Sequence, residues 1–94
     1  MSRYALTAQP QFPGHSVTVG YEKQLPSFFA YVFTADGDPV VVEDGLVDPI
    51  TDPAAILDAV RPYAVIPEGF AAQLAAAPSV ELTATQRAQR AQRS

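Results

Sequence analysis

Few side chains of this 94-residue sequence are suited to covalent or metal chemistry. His15 is the only histidine, and there is no cysteine. A zinc site needs further nitrogen or sulfur ligands, so none is predicted, and neither a thiolate nucleophile nor a disulfide can form. Ser16 or Ser27 could join His15 and an acid in a catalytic triad. Almost any chain offers such a set, however, and only geometry identifies a real one.

Carboxylates are concentrated in the middle of the chain. Residues 36–68 hold eight acids against one arginine, a net charge of −7, whereas the whole chain carries −4. The acids do not have the spacing of a calcium loop, so neither a metal nor a cofactor is predicted. Two interpretations stay open: the acids serve turns and helix starts, or they attract a basic surface. The acids assigned to a partner contact are Asp36, Asp38, Glu43 and Asp44.

The last residues of the sequence have the opposite charge. Arg87, Arg90 and Arg93 recur every three residues, and residues 86–94 contain no acid. A period of three drifts around a helix and gives no sharp face. We expect residues 80–94 to be a helix that frays or a disordered tail. As an alternative function, these arginines would bind the phosphates of a nucleic acid, although they lack interleaved aromatic residues.

Composition and length indicate one small domain. Hydrophobic residues make up 48% and charged residues 17% of the chain, which is typical of a globular protein. No apolar run approaches the length of a spanning helix, and no secretory signal is evident. We therefore expect a soluble, cytoplasmic protein without membrane contact. The predicted domain covers residues 1–79, followed by the tail.

The first half of the domain has the period of β-strands. Residues 16–21 alternate in polarity, residues 27–35 are rich in aromatic side chains, and residues 39–44 return after Asp36-Gly37, a turn with a positive-φ position. Pro39 cannot donate to a ladder, which favours the first residue of an edge strand. The sequence predicts a three-stranded antiparallel meander over residues 16–44, with the aromatic strand in the centre.

The second half has two short helix patterns. Asp52 is a suitable N-cap with Pro53 at the first helical position, and Pro62 closes the helix. A second helix is predicted to start at Pro67 and to end at Pro78. Neither is long enough to stand alone, so both should pack on one face of the sheet. The predicted class is α+β, and the apolar stripes belong to Ile56, Leu57, Val60, Phe70 and Leu74.

The aromatic strand is apolar on both faces. Its second face carries Phe29, Tyr31 and Phe33. If the helices cover the first face, the second needs another cover. The candidates are the N-terminal segment around Tyr4 and Leu6, or a second copy or foreign partner.

Three sequence stretches together resemble a known kind of protein. They are Val19-Gly20-Tyr21-Glu22, Leu25 to Phe29, and Tyr63 to Glu68. The chain is similar over residues 3–75 to a family of small bacterial proteins found on plasmids and phage-related elements, whose activity is not settled. The resemblance implies a mobile genetic element as the setting. It supplies no catalytic residues.

These observations predict a non-catalytic protein-binding module, in which a homodimer or a foreign protein covers the aromatic face. By analogy with other small acidic proteins of mobile elements, it would be a stoichiometric inhibitor such as an anti-CRISPR protein. The predicted contact residues are Phe29, Tyr31, Phe33, Asp36, Asp38, Glu43 and Asp44.

Overall fold

The structure is a computed structural model that describes residues 2–24 and 26–79. It confirms the α+β class. The strands and the first helix are β1 (Ser2–Ala8), β2 (Ser16–Glu22), β3 (Ser27–Phe33), β4 (Pro39–Glu43), α1 (Pro53–Val60) and β5 (Ala64–Val65). A second helix, α2, covers residues 70–79.

The sheet has five strands in the order β4-β3-β2-β1-β5, and every pair of neighbours is antiparallel. The predicted three-stranded meander is therefore wrong in its strand count, although β2, β3 and β4 form as expected. β1 adds itself to β2, with Tyr4 opposite Val19 and Leu6 opposite Val17. β5 contributes only two residues to the opposite edge, too few to produce a periodic signal.

Two expectations about neighbours are corrected by this order. β2, and not the aromatic strand β3, lies in the middle of the sheet. Tyr4 and Leu6 do not cover the second face of β3, because they pair with Val19 and Val17 and pack against the same core as those residues. β1 therefore extends the sheet sideways. Its backbone pairs with β2, and this pairing turns Tyr4 and Leu6 toward the core while the alternate residues face the other side.

Both helices pack on one face of the sheet, as the sequence predicts. Ile56 and Leu74 are almost inaccessible to solvent. Burying each aliphatic side chain contributes about 1.5–3 kcal/mol, so these short helices are held by the core and not by their own hydrogen bonds. The buried cluster consists of Val17, Val19, Phe28, Ala30, Val32, Ile56, Leu57, Val60, Ala64, Phe70 and Leu74.

The ends of α1 follow the predicted chemistry. Asp52 accepts a hydrogen bond from the Ala54 N–H at 2.9 Å, and Pro53 occupies the first turn, where no backbone donor is needed. Both predicted bounds of α2 are wrong. The helix begins at residue 70 and not at Pro67, because Gly69 has a φ of 83°, outside the helical region. Its described part includes Pro78 and reaches residue 79. A proline inside a helix removes one N–H bond and crowds the carbonyl four residues earlier, which can kink a helix without ending it.

A buried serine holds the loop between β4 and α1. The Ser27 hydroxyl accepts from the Ile50 N–H and donates to the Phe28 carbonyl, both at 2.8 Å. The Phe28 N–H donates to the Ile50 carbonyl at 2.8 Å. Gly45 has a φ of 71° and sits so close to Ser27 that a side chain would collide with the hydroxyl. The loop is therefore tied to the start of β3.

Candidate functional site

One candidate serine for a triad, Ser27, lies far from His15. Ser16 pairs with Phe33 at one end of the β2–β3 ladder, and Ser27 pairs with Glu22 at the other end. Seven paired residues span about 20 Å, so Ser27 is far from His15, which precedes Ser16. The Ser27 hydroxyl is also engaged by the loop, and its residue is only 1% exposed.

His15 belongs to a small aromatic group near the start of β2. Its ring lies 5.2 Å from the Phe12 ring, which lies 5.1 Å from the Tyr63 ring. The buried Nδ1 atom has no hydrogen-bond partner among the described residues. Within residues 2–24 and 26–79, no group of three or more metal-ligating side chains is placed to hold a cation. The histidine therefore contributes packing to the β1–β2 connection.

The face of the sheet opposite the helices, here called the open face, has no described element over it. Alternation along the strands gives this face Arg3, Thr18, Tyr31 and Val42. The described residues between 2 and 79 place both helices on the other side. The rings of Phe29, Tyr31 and Phe33 form a row along β3 on the open face, here called the aromatic ladder.

Phe29 is the sheltered end of the ladder. It is only 4% exposed, although no helix covers it. Gly20 lies opposite Phe29 in the register, and its missing side chain makes room for the ring: a Cβ at Gly20 would lie 2.6 Å from the Phe29 Cζ. The Arg3 guanidinium carbon lies 6.0 Å from the ring centre. Phe29 therefore lies flat on the sheet and is not available as a protruding contact.

Tyr31 and Phe33 are the accessible part of the ladder. The Tyr31 ring lies 5.5 Å from Phe29 and 6.3 Å from Phe33, with the latter pair stacked at 26°. Both residues are half-buried. Val42, opposite Tyr31 on β4, is 52% exposed. Adjacent rings and an exposed valine make a continuous apolar strip on the open face. Aromatic residues are enriched in protein interfaces.

The four predicted acids do not form one cluster. Asp36 and Asp38 are exposed in the β3–β4 turn, next to the Phe33 end of the strip, where Gly37 has the predicted positive φ of 88°. Glu43 is exposed at the opposite end of β4, but it pairs with the buried Ala30 and so lies on the helix side of the sheet. The Asp44 carboxylate accepts from the Leu46 N–H at 3.0 Å. Asp44 thus serves a turn, and only Asp36 and Asp38 lie beside the strip.

A further surface was not predicted from the sequence. β4 is confirmed as an edge strand with Pro39 as its first residue. Beyond it, Leu46 is 71% and Val47 is 93% exposed. Residues 42–48 and Ile50 line a pocket of about 380 Å³. The sequence does contain a sign of this surface. Leu46 and Val47 are large apolar residues in a segment rich in glycine, proline and aspartate, which favours a loop that would leave them exposed.

The alternative nucleic-acid site, Arg87, Arg90 and Arg93, lies outside the described residues. In residues 2–24 and 26–79, no helix combines the length and the apolar character needed to cross a membrane.

Comparisons with known proteins gave no match to a family model, a curated protein or a solved structure. The family resemblance inferred from the sequence therefore stays a prediction.

Proposed function

We propose that this chain is a small, non-catalytic protein-binding module, and that a partner protein or a second copy covers the open face at Tyr31 and Phe33. One observation carries the proposal. A regular antiparallel sheet presents two stacked, half-buried rings and an exposed valine on a face that no described helix covers. Aromatic side chains on flat, preformed surfaces are the residues that most often dominate protein–protein binding energy.

The surrounding charges support a partner with a basic rim. Asp36 and Asp38 are exposed in the turn beside Phe33, and Glu43 is exposed at the β4 edge. The sequence has no lysine or arginine between Lys23 and Arg61. Complementary charges at a rim speed association and select among partners more than they add affinity. A basic partner would therefore be captured faster than a neutral one of the same shape.

The most specific form of this proposal is a stoichiometric inhibitor carried by a mobile genetic element, of the anti-CRISPR kind. Its support is the resemblance over residues 3–75 together with the acidic surface. Such an inhibitor blocks its target by occupying a basic surface, so it needs no reacting groups of its own. The cytoplasm, where targets of this kind act, is the compartment that goes with this proposal.

The test is capture from a bacterial lysate at physiological salt, with the full chain and a 1–85 truncation as parallel baits. Mass spectrometry identifies the bound proteins, and a nucleic-acid stain measures bound DNA or RNA. The proposal expects the same stoichiometric partner on both baits, or self-association of both in sedimentation. Nucleic acid held by the full chain alone would instead assign binding to Arg87, Arg90 and Arg93. Two monomeric baits with no protein bound would contradict the proposal.

A further inference from the structure

The outer edge of β4 pairs with no other strand among the described residues. β4 is the last strand of the sheet that residues 2–24 and 26–79 form, so alternate residues turn their N–H and C=O groups away from β3. Pro39 supplies no N–H, and a register shift lies between Val32 and Phe33. Both features disturb the start of the edge and leave residues 40–43 as the part that can accept a further strand.

Exposed apolar side chains are concentrated beside this edge. The described chain has five large hydrophobic residues with high exposure, and four of them lie between residues 40 and 47. The adjoining pocket of about 380 Å³ is lined by Val42, Leu46, Val47 and Ile50 among others. The Ser27–Ile50 hydrogen bond fixes the backbone of Ile50, which lines the pocket. An added strand could pair with the outward N–H and C=O groups of β4 and place one side chain in the pocket.

The charge of the edge selects the occupant. Glu43, Asp44 and Asp48 line the pocket, and Asp38 precedes the strand. A second copy gains no opposite charge from this edge. Antiparallel pairing of two β4 strands centred on Val41 brings Asp38 of each copy opposite Asp44 of the other, and like charges directly opposite are destabilising. Pairing centred on Val42 places Val40 and Val41 opposite Asp44 and Glu43, which leaves the acids without cationic partners. A strand with lysine or arginine side chains meets opposite charges at the same positions.

We propose that β4 accepts an extended, basic segment of a partner protein as a sixth strand. Backbone hydrogen bonds to residues 40–43 supply binding, and an apolar side chain of the segment enters the pocket at Val42 and Leu46. Cationic side chains meet Glu43, Asp44 and Asp48. This is strand addition, in which the ladder supplies affinity and side-chain seats supply selectivity. The proposal rests on the proposed function, since both treat the chain as a protein-binding module.

The experiment uses the full chain and short fluorescent peptides. The first probe alternates lysine and valine, the second alternates glutamate and valine, and the third is the lysine–valine peptide with N-methylated valines that cannot donate hydrogen bonds. Fluorescence anisotropy measures affinity, and amide NMR shifts locate the contact. We expect the first peptide to bind at β4 and each of the others to bind about tenfold more weakly or less.

Charge-reversal variants test whether the acids beside β4 recognise the lysine side chains of the peptide. Glu43→Lys with Asp48→Lys should weaken binding of the lysine–valine peptide about tenfold and improve binding of the glutamate–valine peptide. The control, Asp58→Lys with Glu68→Lys, reverses two exposed acids elsewhere and should change neither affinity by more than about twofold. Equal binding of the three peptides, shifts confined to other strands, or no binding would overturn the proposal. So would binding that appears only after residues 86–94 are removed, because the chain's own tail would then occupy the edge. The proposed function is tested separately, by whether substitution of Tyr31 and Phe33 abolishes partner binding. The peptide results at β4 do not affect the outcome of that test.

Discussion

Gly20 and Phe29 act as one packing unit on the open face. A Cβ at Gly20 would collide with the Ser2 carbonyl oxygen and would also lie 2.6 Å from the Phe29 ring. The ring could move aside, but the backbone of β1 could not do so without losing its pairing with β2. The glycine therefore permits both the close approach of β1 and the flat position of the aromatic ring.

Gly20→Ala should accordingly destabilise the fold. We expect a loss of about 1–3 kcal/mol in the free energy of unfolding, the usual cost of overpacking a filled site. Urea denaturation followed by circular dichroism measures it. Ala5→Ser, an exposed change on β1, is the control and should cost less than about 0.5 kcal/mol. Equal midpoints for the two variants would show that the site has room for a side chain.

The Ser27 hydroxyl is the second residue-scale determinant. Ser27→Ala removes the acceptor of the Ile50 N–H, and a buried donor left unpaired costs about 1–3 kcal/mol. We expect a lower unfolding midpoint and faster hydrogen exchange at Ile50. Ser16→Ala removes a hydroxyl from an exposed residue and is the matched control. If both variants lose the same stability, the loop is not held by Ser27.

At the scale of elements, the sequence predicts the strands and the helix whose patterns lie within a few neighbouring residues. Alternation and the Asp36-Gly37 turn predict β2 to β4, and Asp52-Pro53 predicts α1. β1 has no comparable local signal, because Pro10, Pro13 and Gly14 follow it and its strand structure depends on pairing with β2. The pocket lined by residues 42–48 and Ile50 cannot be predicted from the sequence, because a pocket formed by a loop depends on distant contacts such as Ser27 to Ile50.

The N-cap of α1 gives an element-scale prediction. Asp52→Ala should cost about 1 kcal/mol, because the Ala54 N–H loses its acceptor. Asp58→Ala is the control. The Asp58 carboxylate lies 3.3 Å from the Arg61 guanidinium, and the Arg61 and Asp58 side chains are 64% and 72% exposed. Pairs of that kind contribute about 0.5 kcal/mol or less. Thermal denaturation distinguishes them, and a larger loss for Asp58→Ala would contradict the assigned cap.

At the scale of the whole molecule, charge and apolar surface occupy the same side of the protein. The aromatic ladder reaches the edge of the sheet through Val42, and the acids stand at both ends of β4. A partner that covers Tyr31 and Phe33 therefore approaches the β4 edge as well. The sequence predicts the aromatic residues of β3 and the acids of residues 36–44. That they lie next to each other follows from the register of β3 with β4.

Removing the acids should change how a partner binds more than how the chain folds. The variant carries Asp36→Asn, Asp38→Asn, Glu43→Gln and Asp44→Asn, and the asparagine at position 44 keeps an oxygen for the Leu46 N–H. We expect weaker binding with a smaller dependence on salt, because the long-range attraction is lost. Surface plasmon resonance at low and high salt measures both.

A control for net charge neutralises four acids elsewhere, through Glu22→Gln, Asp52→Asn, Asp58→Asn and Glu68→Gln. The asparagine at position 52 keeps an oxygen that can cap α1. The salt dependence of this control should stay close to that of the wild type. If this control loses as much salt dependence as the first variant, overall charge matters and the position of the acids does not.

The most direct measurement is partner capture and self-association with Tyr31→Thr and Phe33→Thr in one chain. Threonine keeps strand propensity while removing the rings, and a thermal melt confirms that the variant is folded. Val65→Thr is the control, because Val65 is 44% exposed on β5 at the far edge of the sheet. The account predicts binding weakened about a hundredfold or more by the double variant, as expected for two central aromatic contacts, and little affected by the control. A folded double variant that binds as the wild type does would contradict the assignment of the open face.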